Sequence, residues 1–376
     1  MATRQGRSPL RVLVVTNNAP QNAGGVPVAV EMLRSGLAFR QAEPVVVTPD
    51  GFRTIPGLTF NGCPITLPYS RRAMRSFSPT PDAVHVQHPI GLGFSFARAA
   101  AKRKTPVVWS YHTRFEHYAH YLRLPAGIAS AFLRRRFARL AKLTSLALAP
   151  TQAAAAELAE AGFANVAVLP WPAAQGFHQA TGDASLQRLT RSKRVLIAAT
   201  RFAPEKRCLE LVSGAASALQ RNPDWGLVIV GDGPLRKQAE TAALATGLNG
   251  RVRFLGQRAH RDMPRLFASA DLTLSASVSE TQGFALTEAQ AAGVPAVSAA
   301  FPGAGEIVEH GGSGIVSNPG VADLASATSS LMRDPARRRA FARRARERAR
   351  AFHPLRWSET LMQYYGQAIQ TARRPK

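Results

Sequence analysis

The feature that most constrains the fold of this chain is an alternation that runs through its first half and then restarts. Residues 11–16, RVLVVT, form a continuous β-branched run bounded by polar residues, the pattern of a strand buried on both faces of a parallel sheet. A loop over 17–25 ends in Gly24 and Gly25, after which Val26, Ala29, Val30, Leu33 and Leu37 recur at helical spacing. Further short apolar runs follow at 45–48, 82–87, 106–110, 146–149 and 166–169. Residues 170–182 are rich in Pro, Gly, Ala and Gln without periodicity and read as a linker. Beyond them the alternation begins again at 195–199 and continues at 227–230, 252–256, 271–275 and 296–299. Strand, loop and helix repeated in this order specify an α/β chain with parallel sheets. Their restart, in a chain of 376 residues, specifies two domains, placed here at 1–173 and 183–352.

Polar residues just past the C-terminal ends of parallel strands are where open α/β sheets bind ligands. By that rule His85 and His88 are either structural, hydrogen-bonded histidines or ligand-facing groups, and His112, delivered by the strand at 106–110, is the stronger candidate. In TRFAPEK, Arg201 and Lys206 lie five residues apart across a proline, so one loop offers a guanidinium fork and a point charge to a single anion. Gly24 and Gly25 stand before a helix, and Gly231 and Gly233 form a turn after a strand, arrangements in which the backbone comes close to a phosphate. In 279–295, SETQGFALTEAQAAGVP, Glu280 and Glu288 stand eight residues apart around Gly283. Residues 285–292 are helix formers stopped by Gly293 and Pro295, so Glu288 belongs to a helix and Glu280 to the loop before it. A helix N-terminus behind a glycine suits a diphosphate, and a glutamate in its first turns suits vicinal hydroxyls such as those of a ribose.

The segment from Glu280 to Glu288, with GFAL between and EAQAAGVP after, resembles the E-x7-E signature of the retaining family-4 glycosyltransferases, which have the two-domain GT-B fold. The resemblance implies two doubly wound, Rossmann-like parallel-sheet domains facing across a cleft. The first is on the acceptor side, the second binds the nucleotide sugar, and a C-terminal helix over 353–376 packs back onto the first. It places Glu280 against the donor sugar and Glu288 on the ribose, with Gly283, Phe284 and Ala285 among the donor-binding residues. Arg201 and Lys206 match the family's G-R-x-x-x-E-K diphosphate clamp, with Thr200 in place of the glycine. Gly24 and Gly25 fall in the loop that closes over the donor phosphates, Gly231 and Gly233 in its glycine turn, and Gln257 in the region that frames the nucleobase. Asn17 stands where many relatives carry an aspartate.

YHTRFEHYAHY, from Tyr111, resembles the H-T-x-x-E-x-Y-x-H-Y block of members that glycosylate membrane lipids, in which the histidine faces the donor sugar. The nearest motif match is to the bacterial diacylglycerol glucosyltransferases. The implied reaction is transfer of a hexose from a nucleotide diphosphate sugar, UDP-glucose first and GDP-mannose second, to a membrane lipid such as diacylglycerol. No D-x-D motif stands at a strand end, so no metal and no other cofactor is expected, the two cations taking a metal's part. The other readings are a saccharide or small-molecule acceptor, a GT-B sugar-nucleotide epimerase, and a basic nucleic-acid-binding protein.

Charge bears on those readings. A formal net charge of +25 points to polyanionic partners. A nucleic-acid binder would interleave aromatics with its cations, whereas 334–350, DPARRRAFARRARERAR, holds one phenylalanine. That run reads as a solvated helix covering a domain face, with Phe341, Ala345 and Ala349 as its inner stripe, and no nucleic-acid partner is expected. Between residues 98 and 142 cations again dominate, and Leu133, Phe137 and Leu140 share a helical stripe roughly opposite Arg135 and Arg139, as in an interfacial helix. No stretch approaches the ~20 apolar residues of a spanning helix. Cys63 and Cys208, without C-x-x-C spacing, fit a reducing compartment. The expectation is a cytoplasmic protein held peripherally on the inner face of the cell membrane; the sequence leaves its oligomeric state open.

Overall fold

A computed structural model of the chain describes residues 9–18, 24–50, 52–60, 63–66, 79–114, 121, 125–248 and 250–373. It forms two compact units, Met1–Pro170 with Leu355–Lys376, and Trp171–Pro354.

The first unit is built on a six-stranded sheet in the order β2-β1-β5-β6-β7-β8. The strands are β1 (Arg11–Val15), β2 (Glu43–Val47), β5 (Ala83–Val86), β6 (Val107–Ser110), β7 (Leu146–Ala149) and β8 (Val166–Val168), and every pairing is parallel. Between β2 and β5 the chain makes an antiparallel hairpin of β3 (Thr54–Phe60) and β4 (Cys63–Thr66). β-Branched residues dominate β1 because both of its faces are covered, leaving Val12, Val14 and Val15 with no exposed surface. Trp109 of β6 anchors the core, stacked on Phe163 with ring centroids 4.8 Å apart and edge-on to Phe137 at 5.4 Å. The C-terminal helix, Pro354–Arg373, belongs to this unit from Leu355 onward. Its Trp357 ring lies 3.0 Å from where a Cβ on Gly36 would stand, and its Tyr365 is fully buried.

The helix Ala126–Ala141 departs from the sequence expectation. Leu133 and Leu140 are buried and Phe137 packs on Trp109, so the stripe assigned to a lipid surface is the helix's core face. Periodicity shows that such a stripe exists but not what covers it. The outward stripe is instead Ile128, Phe132, Arg135 and Arg139, all exposed and spaced i, i+4, i+7, i+11.

The second unit has a six-stranded parallel sheet in the order β11-β10-β9-β12-β13-β14. Its strands are β9 (Arg194–Ala199), β10 (Trp225–Val230), β11 (Val252–Gly256), β12 (Leu272–Ser275), β13 (Ala296–Ala299) and β14 (Gly314–Ser317). The start of the segment read as a linker is packed into this unit, with Trp171, Ala173 and Phe177 buried and Ala173 N donating to Phe352 O at 3.1 Å. The arginine-rich helix Pro335–Ala349 starts at Asp334, whose side chain accepts from Arg337 N at 2.9 Å. Phe341, Ala345 and Ala349 face inward. Arg338 is buried as well, donating to the carbonyls of Leu331 and Met332 at the end of the preceding helix, with its guanidinium 4.8 Å from the Trp225 ring centroid.

Candidate active site

In the second sheet the strand order reverses between β9 and β12. Connections on one side run outward through β10 and β11, and on the other through β13 and β14. Loops leaving the carboxyl ends of two such strands diverge and leave room for a ligand. The loop after β9 carries Arg201 and Lys206, and the loop after β12 carries Glu280. Lys206 Nζ donates to Glu280 Oε1 at 2.6 Å, the side chains 19% and 20% exposed. Arg201 pairs with the buried carboxylate of Glu205. Ser279 Oγ donates to Glu205 O at 2.9 Å, which ties a side chain of one loop to the backbone of the other.

Glycines make this approach possible. Gly231 has φ +137°, and a Cβ there would stand 1.9 Å from Thr200 O; Gly233 has φ +153°, and its Cβ would stand 2.5 Å from Phe202 O. The turn after β10 therefore lies directly on the Arg201 loop, with Phe202 N donating to Asp232 O at 3.0 Å. Gly283, at φ +83°, precedes the helix Phe284–Ala291. Before it, Gln282 is buried: its Oε1 accepts from Trp171 N at 2.7 Å, and its Nε2 donates to Trp171 O and Thr287 Oγ1, each at 2.9 Å. Phe284 lies against Trp171 with ring centroids 6.1 Å apart, and Ala285 follows it in the first turn.

Glu288 comes one turn later, its side chain 8% exposed, and accepts from His260 Nε2 at 2.7 Å. Burial pulls the imidazole pKa down, but the hydrogen bond and the charge of Glu288 outweigh it and leave the pKa raised. Gln257 is exposed just beyond β11. The structure thus brings Arg201, Lys206 and Glu280 together and seats Glu288 on the helix that Gly283 opens. Sequence reasoning missed His260 and Gln282. The available signal for His260 was the rule that singled out His112, a polar side chain in the loop past a strand end.

The remaining candidates lie in the first unit. Gly24, at φ +133°, and Gly25 are exposed at the start of the helix Gly25–Phe39, and residues 19–23 before them lie outside the described residues. His112 Nε2 donates to Gln87 Oε1 at 2.6 Å. Burial, and then neighbouring His88 and His85, hold its pKa well below the ordinary value. His85 lies 2.6 Å from Tyr365 OH and 2.8 Å from Ser110 Oγ, and burial pushes it down to about 3. His88 Nδ1 accepts from Asn17 N at 3.2 Å, and burial pushes it to about 4. Asn17 also donates through Nδ2 to Ile90 O at 3.0 Å, which fixes the entry to the helix Gly91–Lys102. His117 and His120 lie outside the described residues. Among the described residues no three His, Cys, Asp or Glu side chains are grouped to hold a metal ion.

Two units, each on a six-stranded parallel sheet with a central switch point, are the architecture of the GT-B fold. Residues 23–172 match the family model described as Glycosyltransferase Family 4, and residues 186–348 the one described as Glycosyl transferases group 1; the chain belongs to these glycosyltransferases. A sulfoquinovosyl transferase of Arabidopsis thaliana is 26% identical over 314 residues, 79% of this chain, which spans 59% of that relative's length. A GDP-mannose-dependent alpha-(1-6)-phosphatidylinositol dimannoside mannosyltransferase of Mycobacterium tuberculosis is 29% identical over 362 residues, 91% of this chain and 92% of its own. The crystal structure of Anabaena HepE in complex with UDP and glucose matches in fold with a TM-score of 0.70 at 18% identity, covering 95% of this chain and 99% of that one.

Proposed function

We propose that the chain transfers a hexose from a nucleotide diphosphate sugar to a membrane lipid with retention of anomeric configuration. The observation that carries this reading is the Lys206–Glu280 pair across the switch point, followed eight residues on by Glu288 in the helix that Gly283 opens. In the reaction the bond between the anomeric carbon and the diphosphate oxygen breaks, and charge gathers on the leaving diphosphate. Lys206 and Arg201 offset that charge where other enzymes use a metal. Glu280 lies beside the sugar, Glu288 takes the ribose hydroxyls, and His112 faces the sugar, as the resemblance implies. The acceptor hydroxyl attacks from the face the leaving group vacates and gives its proton to the leaving phosphate.

The lipid acceptor is supported by the Mycobacterium relative, whose name specifies a phosphatidylinositol dimannoside. It is supported also by the exposed Ile128 and Phe132, which share a helix with Arg134, Arg135 and Arg139, and by the net charge of +25. No described helix is long and apolar enough to cross a membrane, and the proposed association is peripheral, at the cytoplasmic face. UDP-glucose, bound in another HepE crystal structure, is the first donor to try and GDP-mannose the second. The test is incubation of the purified protein with each donor and vesicles containing diacylglycerol or phosphatidylinositol, with products identified by mass spectrometry and the anomer by NMR. An α-linked glycolipid is expected. An inverted anomer would overturn retention, and transfer only to soluble saccharides would overturn the lipid acceptor.

A further inference from the structure

The donor helix presents Glu288 on a buried face. A carboxylate there keeps its charge and orientation only if a donor holds it, and the donor is His260, whose Nε2 lies 2.7 Å from Oε1. His260 begins the short turn His260–Asp262, which follows β11. Its ring is backed by the Phe177 ring at 5.4 Å, and Phe177 is in turn fixed by Phe267 at 6.1 Å, both fully buried. The charged group acting on the imidazole is Glu288; Arg261 and Asp262, next along the turn, are exposed. A carboxylate has about four lone-pair sites. One bond from His260 restrains its rotation and leaves the other sites to accept from two neighbouring hydroxyls.

We propose that His260 is a positioning residue for ribose recognition, holding the Glu288 carboxylate in the orientation that grips the vicinal hydroxyls of the donor nucleotide. This rests on the glycosyltransferase reading above. Outer partners of this kind orient a ligand-binding group without touching the ligand. The contribution of His260 therefore shows as selectivity for an intact diol rather than as affinity for phosphate.

The experiment is calorimetry on the full chain with UDP and GDP and with their 2′-deoxy and 3′-deoxy counterparts. The wild type should prefer the ribonucleotides. His260→Phe, which keeps an aromatic ring against Phe177 without an N–H, should lose most of that preference, with about a tenfold drop in ribonucleotide affinity and little change for the deoxynucleotides. His260→Gln, which retains an N–H near the position of Nε2, should restore it. Adding Glu288→Gln to His260→Phe should cost little more, because both act on one contact. A ribose preference that survives in folded His260→Phe, or one lost equally in the Phe and Gln variants, overturns the inference. If the wild type binds neither ribonucleotide, the glycosyltransferase reading fails and this inference with it.

Discussion

Among the described residues, the switch points of the two sheets differ in electrical state. In the first unit the switch point between β1 and β5 is closed by Asn17 on His88, flanked by His85 and His112, all burial-neutralised histidines held by uncharged partners. In the second unit the equivalent place between β9 and β12 is ionic: Lys206 on Glu280 and Arg201 on Glu205, with Glu288 and His260 close by in sequence or fold. Among the described residues, one architecture therefore carries a switch point of neutral histidines and a charged one, although an ion pair, Arg114 on Glu157, follows β6 in the first unit as well. Under the proposed function, the diphosphate charge would be met on the second unit.

The largest expected effect breaks the ionic side. Lys206→Ala should lower turnover at saturating donor by about 100-fold or more, the scale on which fixed transition-state stabilisation operates. The two side chains are only 19% and 20% exposed, so the melting temperature of the variant is measured alongside to separate lost turnover from lost fold. Near-normal turnover in this variant would mean that the contrast between the switch points has no catalytic meaning. A second test asks whether the first unit, neutral at its switch point, is charged where it meets a partner. Arg134, Arg135 and Arg139 together changed to Glu should abolish binding to anionic vesicles in co-sedimentation, each cation being worth about 1 kcal/mol near such a surface. Wild-type binding should fall steeply with salt. Arg136 is left in place because it lies over the Phe94 ring at 4.4 Å. Equal recovery in the supernatant with and without anionic lipid would remove the membrane from the reading.

The smallest effect concerns pH. Burial holds His85 at about 3 and His88 at about 4, below the ~6.5 of an unfolded histidine. Unfolding then takes up protons below about pH 6.5, so the first unit has full stability above that value and loses it as the pH falls towards 4 and then 3. His260 has the opposite sign. Its raised pKa gives a contribution that is complete below about 6.5 and fades as the pH rises through the folded value. Melting temperatures measured from about pH 8 down to about pH 5 should fall less steeply in His88→Gln than in the wild type. An unchanged slope in a folded His88→Gln would show that the neutral switch point is not what acid attacks.

Much of this was legible in the sequence. Buried parallel strands declare themselves by uninterrupted β-branched runs, and Glu280, Gly283 and Glu288 fall within one local segment whose spacing survives folding. What was not legible depended on contacts between distant segments. The His260–Glu288 pair joins a turn to a helix 28 residues away without a motif. The glycines at 231 and 233 announced a turn, but the carbonyls of Thr200 and Phe202 that require them lie on another loop. Composition alone marked 170–182 as linker, yet Trp171 and Phe177 bury large rings that composition averages away. Helical spacing found the Leu133 stripe and could not say which medium it faced.

Gln282 has a mechanical consequence. Its amide grips both the N–H and the C=O of Trp171, and Trp171 is where the chain enters the second unit. Two residues before it in sequence stands Glu280, and one residue after it the glycine that opens the helix Phe284–Ala291. The carboxylate loop and the threshold of the unit are thus riveted into one rigid piece. A ligand that tugs on Glu280 also loads the covalent strand leading out of the unit, with one buried side chain as the rivet.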